Sequence, residues 1–343
     1  MKERELIEAI SNKAVHADNP LLVYGIGDDC AVTRKDDDTV LLYTMDTLIE
    51  SVHFEPAWHP AVMLGRKSVS VNVSDIAAMG GTPQFVLFSL ALPPGFDDDW
   101  ALQLCDGVTE GCTHYGCTLI GGDTVASPAA ITMSLTVVGE MAAELVLYRH
   151  GARAGDIIYV SGPLGRAAAG LELLKRGFRD RDLFAGFYRA HLDPRARVDL
   201  GQKLAATGVV NSMMDLSDGL ATDLAHICKE SCLGAVIYQK QLPFDPALRE
   251  AAALLDHGCT AKNPVDQEML RLMIGGGEDY ELLFTAPPHA TKKLQEVMAI
   301  SGELLYPVGK MINGRGVMLV PTDLQKYGKE VPVEFLGFDH FSH

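Results

Sequence analysis

No stretch of the chain approaches the roughly 18 consecutive apolar residues that a membrane-spanning helix requires. The opening residues, Met1 to Glu8, mix charges where a secretory signal needs an uninterrupted apolar core, so a cytoplasmic protein is expected. Positive charge is scarce. Twenty-nine Lys and Arg stand against 45 Asp and Glu, a formal net charge of -16, which argues against nucleic acid or an anionic membrane surface as a main partner. Cysteine is sparse and odd in number, with Cys30, Cys105, Cys112, Cys117, Cys228, Cys232 and Cys259 scattered along the chain. That pattern suits reduced thiols, and His226, Cys228 and Cys232 lack the second Cys or His pair that a zinc site would need. Two nucleotide signatures are also missing. There is no Gly-x-x-x-x-Gly-Lys-Ser/Thr loop and no protein-kinase motif set. Gly25 and Gly27 begin a dinucleotide-like turn, but its third glycine is absent and Asp28 and Asp29 stand where a pyrophosphate would lie.

At 343 residues the chain exceeds the size at which one core usually stops growing, which predicts two domains. A polar, glycine-bearing passage from Arg149 to Asp156 marks the boundary, giving domains 1–148 and 149–343. Apolar spacing predicts a short helix over 3–15, a buried strand over 40–45 with Asp46 at its end, and strands over 85–92, 117–120 and 131–138. Residues 60–79 are ambiguous, because Val69, Val71 and Val73 alternate as a strand would. The stop formed by Gly80, Gly81 and Pro83 favours a helix. Asp97 or Asp98 is expected to cap a helix reaching Tyr115. In the second half, strands are expected over 157–160, 280–285, 307–312 and 316–320. Helices are expected over 167–175 and 197–206 and from Asp215 through Ile227, with 176–195 as a connector.

What the chain has in quantity is aspartate released at glycine turns or at the ends of apolar runs: Asp28, Asp29, Asp46, Asp75, Asp123, Asp215 and Asp218. Its centre is Val71 to Gly81, where Asn72, Ser74 and Asp75 set an amide, a hydroxyl and a carboxylate within one turn of each other. Magnesium binds through one or two carboxylates plus waters and phosphate oxygens, so several ions on one triphosphate need acids from separate loops. An aspartate at a turn commonly just caps backbone N–H groups. The set taken together points to a magnesium-dependent, ATP-using enzyme. Converging acids would repel one another and titrate high until metal binds.

Gly25 to Ala31, Asp46 to Leu48 with His53 and Phe54, Asn72 to Gly80, Ile120 to Thr124, Asp215 to Leu220, Gly276 to Leu282 and Phe338 to Phe341 together resemble the thiamine-monophosphate kinase family, in order and over nearly the whole chain. The resemblance implies an α+β, two-domain fold like that of aminoimidazole-ribonucleotide synthetase, with an N-terminal mixed sheet and helices and a C-terminal α/β domain. It implies direct transfer of the ATP γ-phosphoryl group to thiamine monophosphate, with several Mg2+ ions and ATP as co-substrate, in a homodimer joined through the N-terminal sheets. By the same analogy Asp29, Thr44, Asp46, Asp75, Asp123, Asp215 and Asp218 hold magnesium, and Tyr115, Gly122, Arg149 and Ser217 contact ATP. His53, Glu278 and Phe338 contact the thiamine part. Met45 stands where members often have threonine, leaving its backbone carbonyl as the possible ligand. Phe338 replaces a more polar aromatic. Rivals within the superfamily fare worse. The N-terminal reactive cysteine of a selenophosphate synthetase and the C-terminal cysteine of the hydrogenase-maturation relative are both missing. A purine-precursor synthetase or a non-catalytic nucleotide sensor would be separated by which acceptor, if any, consumes ATP.

Overall fold

The computed structural model describes residues 3–14, 19–179, 181–255, 263–322 and 330–333. The N-terminal half contains α1 (Glu3–Lys13), β1 (Leu22–Tyr24), β2 (Ala31–Arg34), β3 (Thr39–Ile49), α2 (Ala61–Ala78), β4 (Thr82–Leu92), α3 (Asp98–Tyr115), β5 (Thr118–Ala126) and β6 (Thr132–Ala142). The C-terminal half contains β7 (Ile157–Val160), α4 (Arg166–Lys175), α5 (Ala185–Leu192), α6 (Val198–Thr207), β8 (Ser212–Asp215), α7 (Leu220–Glu230) and β9 (Gly234–Tyr238). It continues through α8 (Leu248–Leu255), α9 (Pro264–Gly275), β10 (Leu282–Ala286), α10 (Thr291–Ser301), β11 (Tyr306–Ile312), β12 (Gly316–Val320) and β13 (Val331–Pro332). No helix among the described residues is long and apolar enough to cross a membrane.

Two mixed sheets result. The first runs β1-β2-β3-β6-β4-β5 and the second β13-β12-β9-β11-β7-β10-β8. Among the described residues, only the β4–β5 pair in the first sheet and the β12–β9 pair in the second are parallel strand pairs. The second sheet is covered on both faces. Ile158, Val160, Met214 and Leu283 enter one core, while Tyr159, Met213, Leu282 and Phe284 enter the other. Strands buried on both sides lose the polar alternation of a half-exposed strand, which is why these segments read as plain apolar runs.

Helix α2 connects the two halves. It is helical, as its glycine stop implied, and Gly80 ends it with φ 82°. Buried residues lie on every face of it, because β3 and β6 lie on one side, α3 on another, and α6 and β8 on a third. A helix buried all round carries no polar stripe, so the strand-like alternation of Val69, Val71 and Val73 was a false signal. Its close packing depends on glycines. A Cβ on Gly65 would lie 2.2 Å from the Leu104 carbonyl oxygen, one on Gly107 2.1 Å from that of Val62, and one on Gly201 2.1 Å from that of Ala77. Asp97 caps α3 by accepting from the Trp100 N–H at 3.0 Å.

Four expectations are corrected. Strand β3 continues past Asp46, because Thr47 and Ile49 pair with Ser134 and Thr132 of β6, so this acid lies inside a strand. Strand β5 likewise runs through Gly122 and Asp123 to Ala126, sustained by its ladder with β4. Asp215 ends strand β8, and helix α7 begins only at Leu220. The connector 176–195 contains α5, whose Phe187 and Leu192 are buried. Replacing Gly107 by Ala is expected to separate α2 from α3 and to lower stability by about 1–3 kcal/mol, read as the denaturant midpoint. An unchanged midpoint would contradict the packing account.

Candidate functional site

Three elements bring three acids together. Asp29 lies in the turn before β2, Asp75 in the last turn of α2 and Asp215 at the end of β8. One oxygen from each lies within 4.8 Å of the others. The neighbours named by the central stretch hold the group in place. Ser74 Oγ donates to Asp215 Oδ2 at 2.7 Å, and Asn72 Oδ1 accepts from the Asp46 N–H at 2.9 Å while its amide donates to the Ser68 carbonyl. Thr44 Oγ1 donates to Asp75 Oδ2. Arg149 donates from Nε and Nη2 to Asp29 Oδ1 at 3.1 and 2.6 Å. Two carboxylate oxygens, Asp29 Oδ2 and Asp215 Oδ1, are buried without a hydrogen-bond partner. Two orphaned carboxylate oxygens in one cluster are free to accept a ligand.

The electrostatics agree. Burial, then the charge of neighbouring Asp29, raises the Asp28 carboxyl to about 7. Burial, then Asp29, raises Asp215 to about 7. Burial and the nearby Asp218 raise Asp46 to about 6. Asp75 is pushed up by burial and then by Asp46, Asp215 and Asp29. Among the described residues Arg149 is the one cation that counters these acids' shifts, which leaves the group short of positive charge. Hard oxygen donors, two of them orphaned, fit a hard divalent cation such as Mg2+.

The remaining predicted residues lie at several places. Asp46 and Asp218 belong to the same electrostatic group, and Ser217 lies in the loop between β8 and α7, where its carbonyl accepts from the Glu278 N–H at 2.8 Å. Asp28 acts as a turn cap, accepting from the Asp29 and Arg149 backbone N–H groups. Met45 does not point at the acids. Side chains alternate along a strand, so while Thr44 and Asp46 face α2, Met45 faces the opposite side and is 64% exposed. Asp123 is also removed from the cluster within one chain. It is on edge strand β5, in register with Ser89, Ser134 and Thr47 on that same outer side. Gly122 beside it admits no side chain, since a Cβ would meet the Phe88 carbonyl oxygen at 1.7 Å.

Tyr115 lines a separate cleft of about 340 Å³ with Ser70, His114, Arg189 and Arg195. Its hydroxyl bonds Ser70 Oγ at 3.0 Å and accepts from the Ala196 N–H. His53 closes the turn after β3, its Nδ1 accepting from the Ile49 N–H. Phe338 lies outside the described residues. Glu278 sits in the loop after α9, gripped by two side chains that the sequence reading did not single out. Lys67 Nζ bonds Oε1 and His191 Nδ1 bonds Oε2, each at 2.7 Å. The signal for Lys67 was a lysine in the middle of a helix whose residues are mostly buried. Asp223 was missed too. It is buried and accepts from the Asp218 and Gly219 N–H groups, holding the loop that carries Ser217 and Asp218.

Two family models match the chain: AIR synthase related protein, N-terminal domain, over residues 27–141, and the corresponding C-terminal domain over 153–320. They place it in that class of two-domain proteins. Thiamine-monophosphate kinase of Escherichia coli strain K12 is 36% identical over 93% of this chain and 92% of its own length. That of Haemophilus influenzae is 34% identical over 99% and 98%. A solved structure described as AaThiL complexed with AMPPCP and TMP superposes with a TM-score of 0.82 at 33% identity, covering 99% of this chain and 97% of that one. The chain belongs to the thiamine-monophosphate kinase family.

A pH dependence follows. The folded-state values of Asp28, Asp46 and Asp215 lie above the ordinary 3.8, so the metal-free fold binds protons more tightly than the unfolded chain does. Their contribution is fully present below about pH 4 and is lost as pH rises through about 6 to 7. The melting temperature of metal-free protein is expected to fall between pH 5 and 8, as roughly one proton per raised acid is released. Added Mg2+ should flatten that fall. Asp215→Asn should raise metal-free stability at pH 8 and diminish the Mg2+ effect; the reverse pattern would contradict the cluster's electrostatics.

Proposed function

We propose that the chain transfers the γ-phosphoryl group of ATP to the phosphate of thiamine monophosphate, yielding thiamine diphosphate and ADP. The observation that carries this is the buried, cation-deficient acid cluster in a chain of this family. Asp29, Asp75 and Asp215, with Thr44, Asp46 and Asp218 beside them, would hold Mg2+. When bound, the metal would supply charge neutralisation for phosphate oxygens. Phosphoryl transfer asks mostly for positioning and charge stabilisation, and the acceptor phosphate is already ionised at neutral pH, so no side-chain nucleophile is required. Arg149 orients Asp29 and would meet phosphate beside it. Ser74 and Asn72 keep the Asp215 carboxylate and the strand carrying Asp46 in place. Ser217, Gly122 and Tyr115 are assigned to ATP, and His53, Glu278 and Phe338 to the thiamine part. Met45 contributes its backbone carbonyl alone.

The functional unit is a cytoplasmic homodimer of two-domain subunits divided at 148/149. Its support is the outer side of the first sheet, where Met45, Phe85, Leu87 and Val125 are 64, 45, 41 and 46% exposed. Asp123 and the edge of β5 stand on that surface. A second copy covering it would bring Asp123 and Gly122 to a site the single chain does not build.

The direct test is chromatography of purified protein with ATP, Mg2+ and thiamine monophosphate. Stoichiometric thiamine diphosphate and ADP are expected, and Asp75→Asn should reduce kcat by about 100-fold or more while leaving the fold intact. ADP with free phosphate but no thiamine diphosphate would refute the assignment. Light scattering should give twice the chain mass, falling toward one chain for Leu87→Glu; a monomeric wild type would remove the dimer.

A further inference from the structure

We propose that Lys67 and His191 are positioning residues for the acceptor: they fix the Glu278 carboxylate so that it meets the thiamine part in a single orientation. This rests on the assignment of Glu278 to that part of the substrate. The geometry is specific. Lys67 is fully buried in the middle of α2, its side chain 0% exposed, and its Nζ grips one oxygen of Glu278. His191, from α5 and 1% exposed, grips the other. Each carboxylate oxygen is thus held by a donor from a different helix, while the Glu278 side chain as a whole is a quarter exposed.

The ring chemistry defines what His191 donates. Its Nε2 is buried without a partner, and burial together with Lys67 disfavours the imidazolium. Because the Glu278 carboxylate can only accept, the proton of the neutral ring is assigned to Nδ1, facing Glu278. His59 sits 6.1 Å away with Nε2 on the Leu192 carbonyl, and Trp58 lies 5.9 Å from the His191 ring, so the imidazole is walled in. The backbone is constrained as well. Glu278 and Tyr280 both adopt positive φ, 66° and 49°, a conformation that non-glycine residues keep only where surroundings over-determine it. Here the Glu278 and Tyr280 N–H groups donate to the Ser217 and Leu216 carbonyls. The Glu278 loop is therefore tied at its backbone to the loop of Ser217 and Asp218, and at its side chain to Lys67 of α2, five residues before Asn72 and eight before Asp75. A carboxylate has about four acceptor positions, and two are occupied, so Glu278 offers the substrate a directed acceptor with little free charge.

Steady-state kinetics test this. Lys67→Met and His191→Leu are each expected to raise KM for thiamine monophosphate by about tenfold, with KM for ATP within about twofold of wild type. His191→Asn, whose amide can occupy the Nδ1 position, should return KM toward the wild-type value. A merely structural role would lower the melting temperature and the active fraction without separating the two KM values. Because Lys67→Met strands a buried acid and can unfold the chain, Lys67→Met/Glu278→Gln provides the second measurement. It should be no worse for acceptor KM than Glu278→Gln alone. Additive effects, or folded Lys67→Met and His191→Leu proteins with unchanged KM while Glu278→Gln raises it, would overturn the positioning role. An unchanged KM in Glu278→Gln itself would instead show that the assignment of Glu278 to the acceptor is wrong.

Discussion

Buried negative charge without enough positive charge is the constraint around which this molecule is arranged. Asp29, Asp75 and Asp215 converge from a turn, a helix end and a strand end, with Asp46 and Asp218 adding their fields. Packing alone would not choose such an arrangement, since each acid loses hydration and gains like-charged neighbours. It persists because the Thr44 and Ser74 hydroxyls, Arg149 and burial in the surrounding core hold the carboxylates at fixed places. The shortfall of positive charge is what a hard divalent cation at the site would offset.

Helix α2 transmits that constraint to the rest of the fold. One helix carries Lys67 toward Glu278, Ser70 toward Tyr115, Asn72 toward Asp46, Ser74 toward Asp215 and Asp75 into the acid cluster. Polar residues on a helix buried all round must each find a specific partner, and the partners lie in both halves of the chain. The glycines at 65, 107 and 201 let neighbouring helices approach closely enough for those side chains to reach. Site geometry and domain packing are therefore the same set of contacts seen from two sides.

The first sheet divides the predicted residues by parity. Thr44 and Asp46 face α2, whereas Met45, Thr47 and Asp123 face the open side. One side serves the acids, and the other presents exposed apolar and acidic groups. The two roles coexist because successive strand residues alternate faces.

The sequence by itself determined most of the elements, the helical reading of 60–79 and a cap at Asp97 or Asp98, because caps and glycine stops act through near neighbours. The motifs also carried the family. It did not determine which acids meet: Asp28 turned out to cap a turn, Asp123 to stand on another face, and Asp46 to lie within a strand whose length β6 decides. Nor did it single out Lys67, His191 or Asp223 as partners of site residues, since the Lys67–Glu278 contact joins positions 211 residues apart. Convergence across such separations is set by strand register and by helices packed through glycine, and these depend on the whole chain being folded at once.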